Sequence, residues 1–160
     1  MSQMTPDEKR QLKRRMKSAA RLYAVQALFQ MENMEQGLER VRAEFEDHRF
    51  GMITEEGAFS DGDVDQFRAV LEGAVAHQAQ IDQMTDRALV ARWPLGRIDP
   101  TLRAVFRAAG AELVSMPTPP KVVINEYVEV ARAFFPDGKE AGFVNGVLDH
   151  MAREVRPGAL

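Results

Sequence analysis

The stretch Asp99-Pro100-Thr101-Leu102-Arg103-Ala104-Val105-Phe106-Arg107-Ala108-Ala109-Gly110-Ala111-Glu112-Leu113 decides the fold class of this chain. Asp99 is a capping residue type, and Pro100 suits the first helical position, where its missing N–H is no loss. Leu102, Val105, Phe106, Ala109 and Leu113 then recur at steps of three and four, the apolar stripe of a helix. Pro117, Pro119 and Pro120 stop it.

The same pattern extends in both directions. Downstream, Val123, Ile124, Tyr127, Val130, Ala131 and Phe134 stripe a sixth helix that stops at Pro136, and Phe143, Val144, Val147, Leu148 and Met151 stripe a seventh. Upstream, a fourth helix carries Met84, Ala88 and Leu89 and ends before Pro94, and a third carries Val64, Phe67, Leu71, Ala74 and Val75. Leu38, Val41 and Phe45 form a short second amphipathic stretch after a turn at Gly37. At the start, Thr5-Pro6-Asp7-Glu8 reads as a capping box with proline at the first helical position. That first helix runs to about Asn33, with Tyr23, Ala27, Leu28 and Met31 on one face. Gly51, Gly57, Ser60 and Gly62 mark residues 51–62 as the main internal loop. No segment sustains two-residue alternation and no repeat has a fixed period. The expectation is an all-α chain of seven helices packed as a bundle, one domain over residues 1–160.

Composition fits a globular protein: 160 residues, 45% apolar and 28% charged. There is no cysteine, which excludes disulfides, thiolate zinc sites and cysteine nucleophiles and fits a reducing cytoplasm. The longest uncharged run, Leu22–Met31, is too short to span a bilayer, and no signal-peptide core follows Met1.

The net charge of −3 hides an asymmetry. Lys9, Arg10, Lys13, Arg14, Arg15, Lys17 and Arg21 give residues 9–21 a charge of +7, leaving the remainder at −10. No acidic residue occurs between Glu8 and Glu32. A basic arm on an acidic body points to a polyanionic partner. In a helix, Arg10, Lys13, Arg14, Lys17 and Arg21 form one stripe, widened by Lys9 and Arg15. Such close like charges repel each other, and a phosphate backbone removes the repulsion. Few aromatics interleave with the arm, which favours backbone contacts over base stacking. No short helix pair supplies a convincing duplex-reading recognition helix.

Catalytic signals are weak or missing. His48, His77 and His150 lack a second histidine at helical spacing and read as ordinary surface or half-buried side chains. Neither a phosphate-cradling glycine loop nor a nucleophile elbow occurs. Asp61, Asp63, Asp65 and Glu72 match part of a calcium-loop pattern, but Gln66 stands where the sharp turn needs glycine. A helix start with acids near its positive end fits these residues better. Gly138, Gly142 and Gly146 are spaced by four; Gly138 belongs to a loop, whereas Gly146 suits close helix packing. Trp93 before Pro94 reads as a core or hinge anchor.

Three segments carry a family resemblance. Ala20-Arg21-Leu22-Tyr23-Ala24-Val25-Gln26-Ala27-Leu28-Phe29, Lys121-Val122-Val123-Ile124-Asn125-Glu126-Tyr127-Val128-Glu129-Val130-Ala131 and Phe143-Val144-Asn145-Gly146-Val147-Leu148-Asp149 resemble the first-, sixth- and seventh-helix motifs of the NusB family of bacterial transcription antitermination factors. Trp93-Pro94-Leu95, Arg103, Arg107 and Glu112-Leu113 fall in matching order between them, and the resemblance spans about residues 18–156. It implies seven helices in two packed bundles. It also implies a non-enzymatic adaptor that binds boxA RNA of ribosomal RNA transcripts with NusE, a protein of the small ribosomal subunit. That complex joins RNA polymerase and other Nus factors and promotes read-through. Carried over by position, the resemblance assigns RNA contacts to Arg14, Arg15, Lys17, Arg21 and Gln26. It assigns partner contacts to Phe29 and Phe143, and implies no metal or cofactor. Asn125, Asn145 and Asp149 match the motifs, with capping and helix-end bonding as their alternative role. Ala111 departs from the aromatic that many members carry there, the Phe135–Lys139 loop differs in length from some members, and the N-terminal extension through Arg10 is long.

Two other readings compete. In one, the chain is an RNA-binding module; the 160 residues leave no space for a ribosomal RNA methyltransferase domain, so the catalytic partner is separate. In the other, it is a protein-binding helical scaffold whose acidic body recruits a basic partner. A basic surface also suits self-association, and a monomeric mass across a dilution series would dismiss a homodimer. With four phosphates neutralised, the adaptor reading expects a log–log salt slope of about −3 for single-stranded RNA.

Overall fold

Caps and prolines punctuate this chain into seven helices, as seen in a computed structural model that describes residues 3–48, 50, 53–54, 57–58, 62–90 and 98–160. Among the described residues these are α1 (Pro6–Met34), α2 (Leu38–His48), α3 (Val64–Ala76), α4 (Gln78–Val90), α5 (Pro100–Ser115), α6 (Pro120–Phe134) and α7 (Glu140–Val155). Thr5 caps α1 in a complete capping box: its Oγ1 accepts from Glu8 N at 3.1 Å, and Glu8 Oε2 accepts from Thr5 N at 3.3 Å. Asp99 Oδ1 accepts from Thr101 N at 2.7 Å to cap α5.

The sequence and the structure differ at two places, Pro120 and the 51–62 loop, and agree at a third, the start of α3. Pro120, expected among the residues that stop α5, opens α6 at its first turn; α5 has already ended at Ser115. The 51–62 loop contains a two-residue antiparallel ladder pairing Ile53 with Ala58 and Thr54 with Gly57, too short to show alternation. Asp63, an acid of the calcium-like pattern, gives its Oδ1 to Gln66 N at 3.0 Å and caps α3, while Glu72 pairs with Arg42. The helix-start reading therefore describes that segment. Asp61 lies outside the described residues, as do Trp93, Pro94 and Leu95.

The central helix is α5, which contacts α1, α3, α4, α6 and α7. Its buried Ala104, Ala108, Ala109, Gly110 and Ala111 let neighbours approach on several sides. A Cβ built on Gly110 would stand 2.4 Å from Ile81 Cγ2 of α4, so glycine is required by the packing there. One group gathers α1, α2 and α3, and a second gathers α4, α6 and α7, with α5 shared. In the first group Tyr23, Phe50, Phe67 and Phe45 form a chain of ring contacts with centroids 5.0–5.8 Å apart. In the second, buried Tyr127 and Leu148 bring α6 and α7 into the core.

Arg156, just past α7, seals the end of α5. It donates to Leu113 O at 3.0 Å and Glu112 O at 2.9 Å, and also to the carbonyls of Met116 and Thr118. These include carbonyls that the last turn of a helix leaves without an internal partner. Among the described residues no helix is long and apolar enough to cross a membrane.

Candidate nucleic-acid interface

Arg14, Lys17, Arg21, Ala24 and Leu28 share one face of α1 by their spacing of three and four. Buried residues of α1 begin only at Ala20, so its first turns extend this face beyond the core. The extension is tied to the body where Asp63 N donates to Met16 O at 2.9 Å. Arg14, Arg15 and Lys17 are exposed. They have no ion-pair partner among the described residues, whereas Arg42, Arg68, Arg87, Arg103, Arg107, Arg132 and Arg153 all pair with acids. Unspent cationic donors on one helix end are what a polyanion would engage.

Arg21 is engaged inside the protein, which sets it apart from the three exposed cations expected to contact RNA with it. It is 3% exposed. Its Nε donates to Glu112 Oε2 at 2.7 Å and its Nη2 to Oε1 at 3.0 Å, a bidentate pair between α1 and α5. Tyr127 Oη donates to Oε2 at 2.5 Å and Thr118 Oγ1 to Oε1 at 3.0 Å, so both carboxylate oxygens are fully satisfied. Burial lowers the affinity of Arg21 for its proton, but hydrogen bonding to Glu112 and its charge more than offset this, and the pKa lies above the ordinary arginine value. Burial likewise pushes Glu112 up, yet the bond and charge of Arg21, with the bonds from Tyr127 and Thr118, hold it below the ordinary carboxylate value. Tyr127 is raised well above a free phenol, first by burial and then by the charge of Glu112. The basic stripe thus turns inward at Arg21, where the helix enters the body.

Between the first half of α1 and α6 lies a groove of about 950 Å³. Arg14, Lys17, Ser18 and Leu22 line its α1 side; Val122, Asn125, Glu126 and Glu129 line its α6 side. Glu126 is held in place by Ser18, whose Oγ donates to it at 2.9 Å, and by Arg21 at 3.4 Å. Gln66 of α3 also lines the groove.

The other expected residues are scattered. Gln26 and Phe29 lie on the solvent side of α1, in register with Leu22. Gln26 is half-buried and its Oε1 has no hydrogen-bond donor among the described residues; Phe29 is exposed. Phe143 of α7 is half-buried and edge-on to Phe106 of α5, centroids 6.0 Å apart, so much of its ring serves the core. Asn125 is exposed in the groove, Asn145 is exposed on α7, and Asp149 accepts from Arg153 at 2.9 Å. The sequence reading missed Gln66 as a site residue and missed the role of Glu112. An acid on the buried side of the α5 stripe, three residues after Ala109, was the available signal. Among the described residues no three histidine or acidic side chains come together to hold a metal.

Comparison with known proteins gives a consistent result. The model of the NusB family matches residues 18–153. A transcription antitermination protein NusB of Maricaulis maris is 44% identical over 157 residues, covering 98% of this chain and 96% of that protein. One of Nitrobacter hamburgensis is 47% identical over 143 residues, 89% of each. Among solved structures, T. maritima NusB superposes with a TM-score of 0.66 at 30% identity, covering 86% of this chain and 91% of that one. A chain from a complex of antitermination factors NusB and NusE with dsRNA superposes at 0.70 and 21% identity, covering 88% and 98%, a likeness of fold.

Proposed function

This chain belongs to the NusB family, and from that premise we propose that it is a transcription antitermination factor. It binds the boxA element of ribosomal RNA transcripts together with NusE and, through RNA polymerase and other Nus factors, promotes read-through of terminators. It works in the cytoplasm as an adaptor and carries out no chemical step. The observation that carries the RNA contact is the unpaired, exposed cluster Arg14, Arg15 and Lys17, of which Arg14 and Lys17 line the α1–α6 groove. These three set the register of the phosphate backbone, and Gln26, with its unmet acceptor, sits further along the same helix. Arg21 supports the cluster from beneath by fixing α1 on α5.

The deciding experiment is fluorescence anisotropy with labelled boxA RNA and a scrambled control, with and without NusE. Tighter, sequence-selective binding in the presence of NusE is expected. Equal weak binding to both RNAs, unaffected by NusE, would overturn the reading. The protein-scaffold reading rests on the exposed ring of Phe29, which suits a partner surface without RNA; NusE capture that neither needs nor alters RNA binding would favour it.

A further inference from the structure

Gln66 is a polar group that the packing leaves unexplained. It is 7% exposed, its backbone N–H is taken by the Asp63 cap, and its side-chain Nε2 has no acceptor among the described residues. A buried donor without a partner is costly unless something fills that role. Gln66 lines the α1–α6 groove, so a turn of its amide would present that donor to an acceptor placed there.

The other lining groups narrow what that acceptor belongs to. Leu22, Pro117, Pro119 and Val122 offer apolar surface against which a flat ring can lie, and Val122 is 40% exposed. Glu126 and Glu129 stand on the α6 side, paired with Arg21 and Arg132, and their remaining lone pairs make this wall a poor place for a phosphate. They accept hydrogen bonds from amino groups instead. Arg14 and Lys17 on the α1 side supply cations for the flanking phosphates. The volume lies within the range of about 300–1,000 Å³ usual for small-ligand pockets.

We infer that this groove receives one unpaired RNA base bearing an exocyclic amino group. Gln66 donates to a ring nitrogen or carbonyl of that base, the α6 carboxylates accept from its amino group, and the backbone phosphates stay outside on Arg14 and Lys17. Uracil is the base the groove disfavours, because it presents a carbonyl where cytosine presents an amino group. This inference rests on the RNA-binding function proposed above and adds a base-reading element to it.

The test uses the full chain with NusE and a set of boxA RNAs in which each position is changed singly to or from uridine. Wild-type protein is expected to show one position where uridine weakens binding by about 5- to 20-fold, the span of a modest direct base contact. Gln66→Leu and, separately, Val122→Trp, which fills the groove from an exposed position, are expected to reduce that discrimination to within about twofold. The salt slope should stay unchanged, since no phosphate contact is lost. Circular dichroism and thermal melting accompany both variants, and Val122→Trp stands as the test should Gln66→Leu fail to fold. Intact boxA binding without a uridine-sensitive position, or discrimination that survives both substitutions, would overturn the inference and leave the function standing. Weakened binding of NusE alone by either variant, with base discrimination intact, would assign the groove to a protein and overturn it too. Absence of any RNA binding by wild-type protein would overturn both.

Discussion

Arg14 and Arg21 are two helical turns apart on the same face of α1, and their surroundings give them opposite tasks. Arg14 meets solvent; Arg21 meets Glu112. Breaking a buried, fully bonded pair by removing one charge costs about 3–5 kcal/mol, because the remaining charge is stranded. Glu112→Gln is therefore expected to lower the melting temperature by about 2–4 °C per kcal/mol lost, without changing the helical spectrum below the transition. The pH dependence follows from the direction of the shift. Glu112 has a lower pKa folded than unfolded, so its stabilisation is complete above the ordinary value of 4.5 and is lost as pH falls through the folded value. Wild-type protein should lose stability in that acid window, and Glu112→Gln should show a flatter profile there. The two expected partner residues also separate by burial. Phe29→Ala should change stability by less than about 0.5 kcal/mol, as at most surface sites, yet weaken NusE capture tenfold or more. Phe143→Ala, which strips a ring from Phe106, should cost up to about 3 kcal/mol in chemical denaturation.

At the scale of helices, local chemistry was readable in the sequence. Thr5, Asp63 and Asp99 act at the helix starts where their neighbours suggested, because a cap needs only residues within three positions. The apolar stripes of α5, α6 and α7 were readable for the same reason. Contacts between distant segments were not. Arg21 fitted a basic stripe by every local criterion, and its partner lies 91 residues away. Gln66 looked like a mere defect in a calcium pattern, and only the meeting of α1, α3 and α6 makes it a groove residue. Glycines show the same divide. A Cβ placed on Gly142, near the start of α7, would have nothing within 4 Å, so Gly142→Ala should raise stability by about 0.5–1 kcal/mol through helix propensity. Gly110→Ala enjoys the same propensity gain but drives a methyl into Ile81, and overpacking of about 1–3 kcal/mol should win. Urea denaturation of the two variants should give shifts of opposite sign.

For the whole molecule, charge separation is the feature that matters. An acidic body of −10 repels RNA at most approaches, while the +7 arm attracts it, so the encounter is oriented before contact. Burial of Arg21 lowers the expected count of neutralised phosphates from four to three, giving a salt slope of about −2 for single-stranded RNA. Alanine at Arg14, Arg15 and Lys17 together should bring the slope towards zero while leaving the melting temperature nearly unchanged; an unchanged slope would remove these residues from the interface. The seal on α5 adds a consequence for biosynthesis. The carbonyls that Arg156 closes belong to residues 38 to 44 positions earlier in the chain. At a translation rate of about 5–20 residues per second, they wait roughly 2–9 s for the guanidinium that completes them. During that interval the nascent chain has its central helix but not the clasp on its end, so this corner is completed only once α7 has been translated.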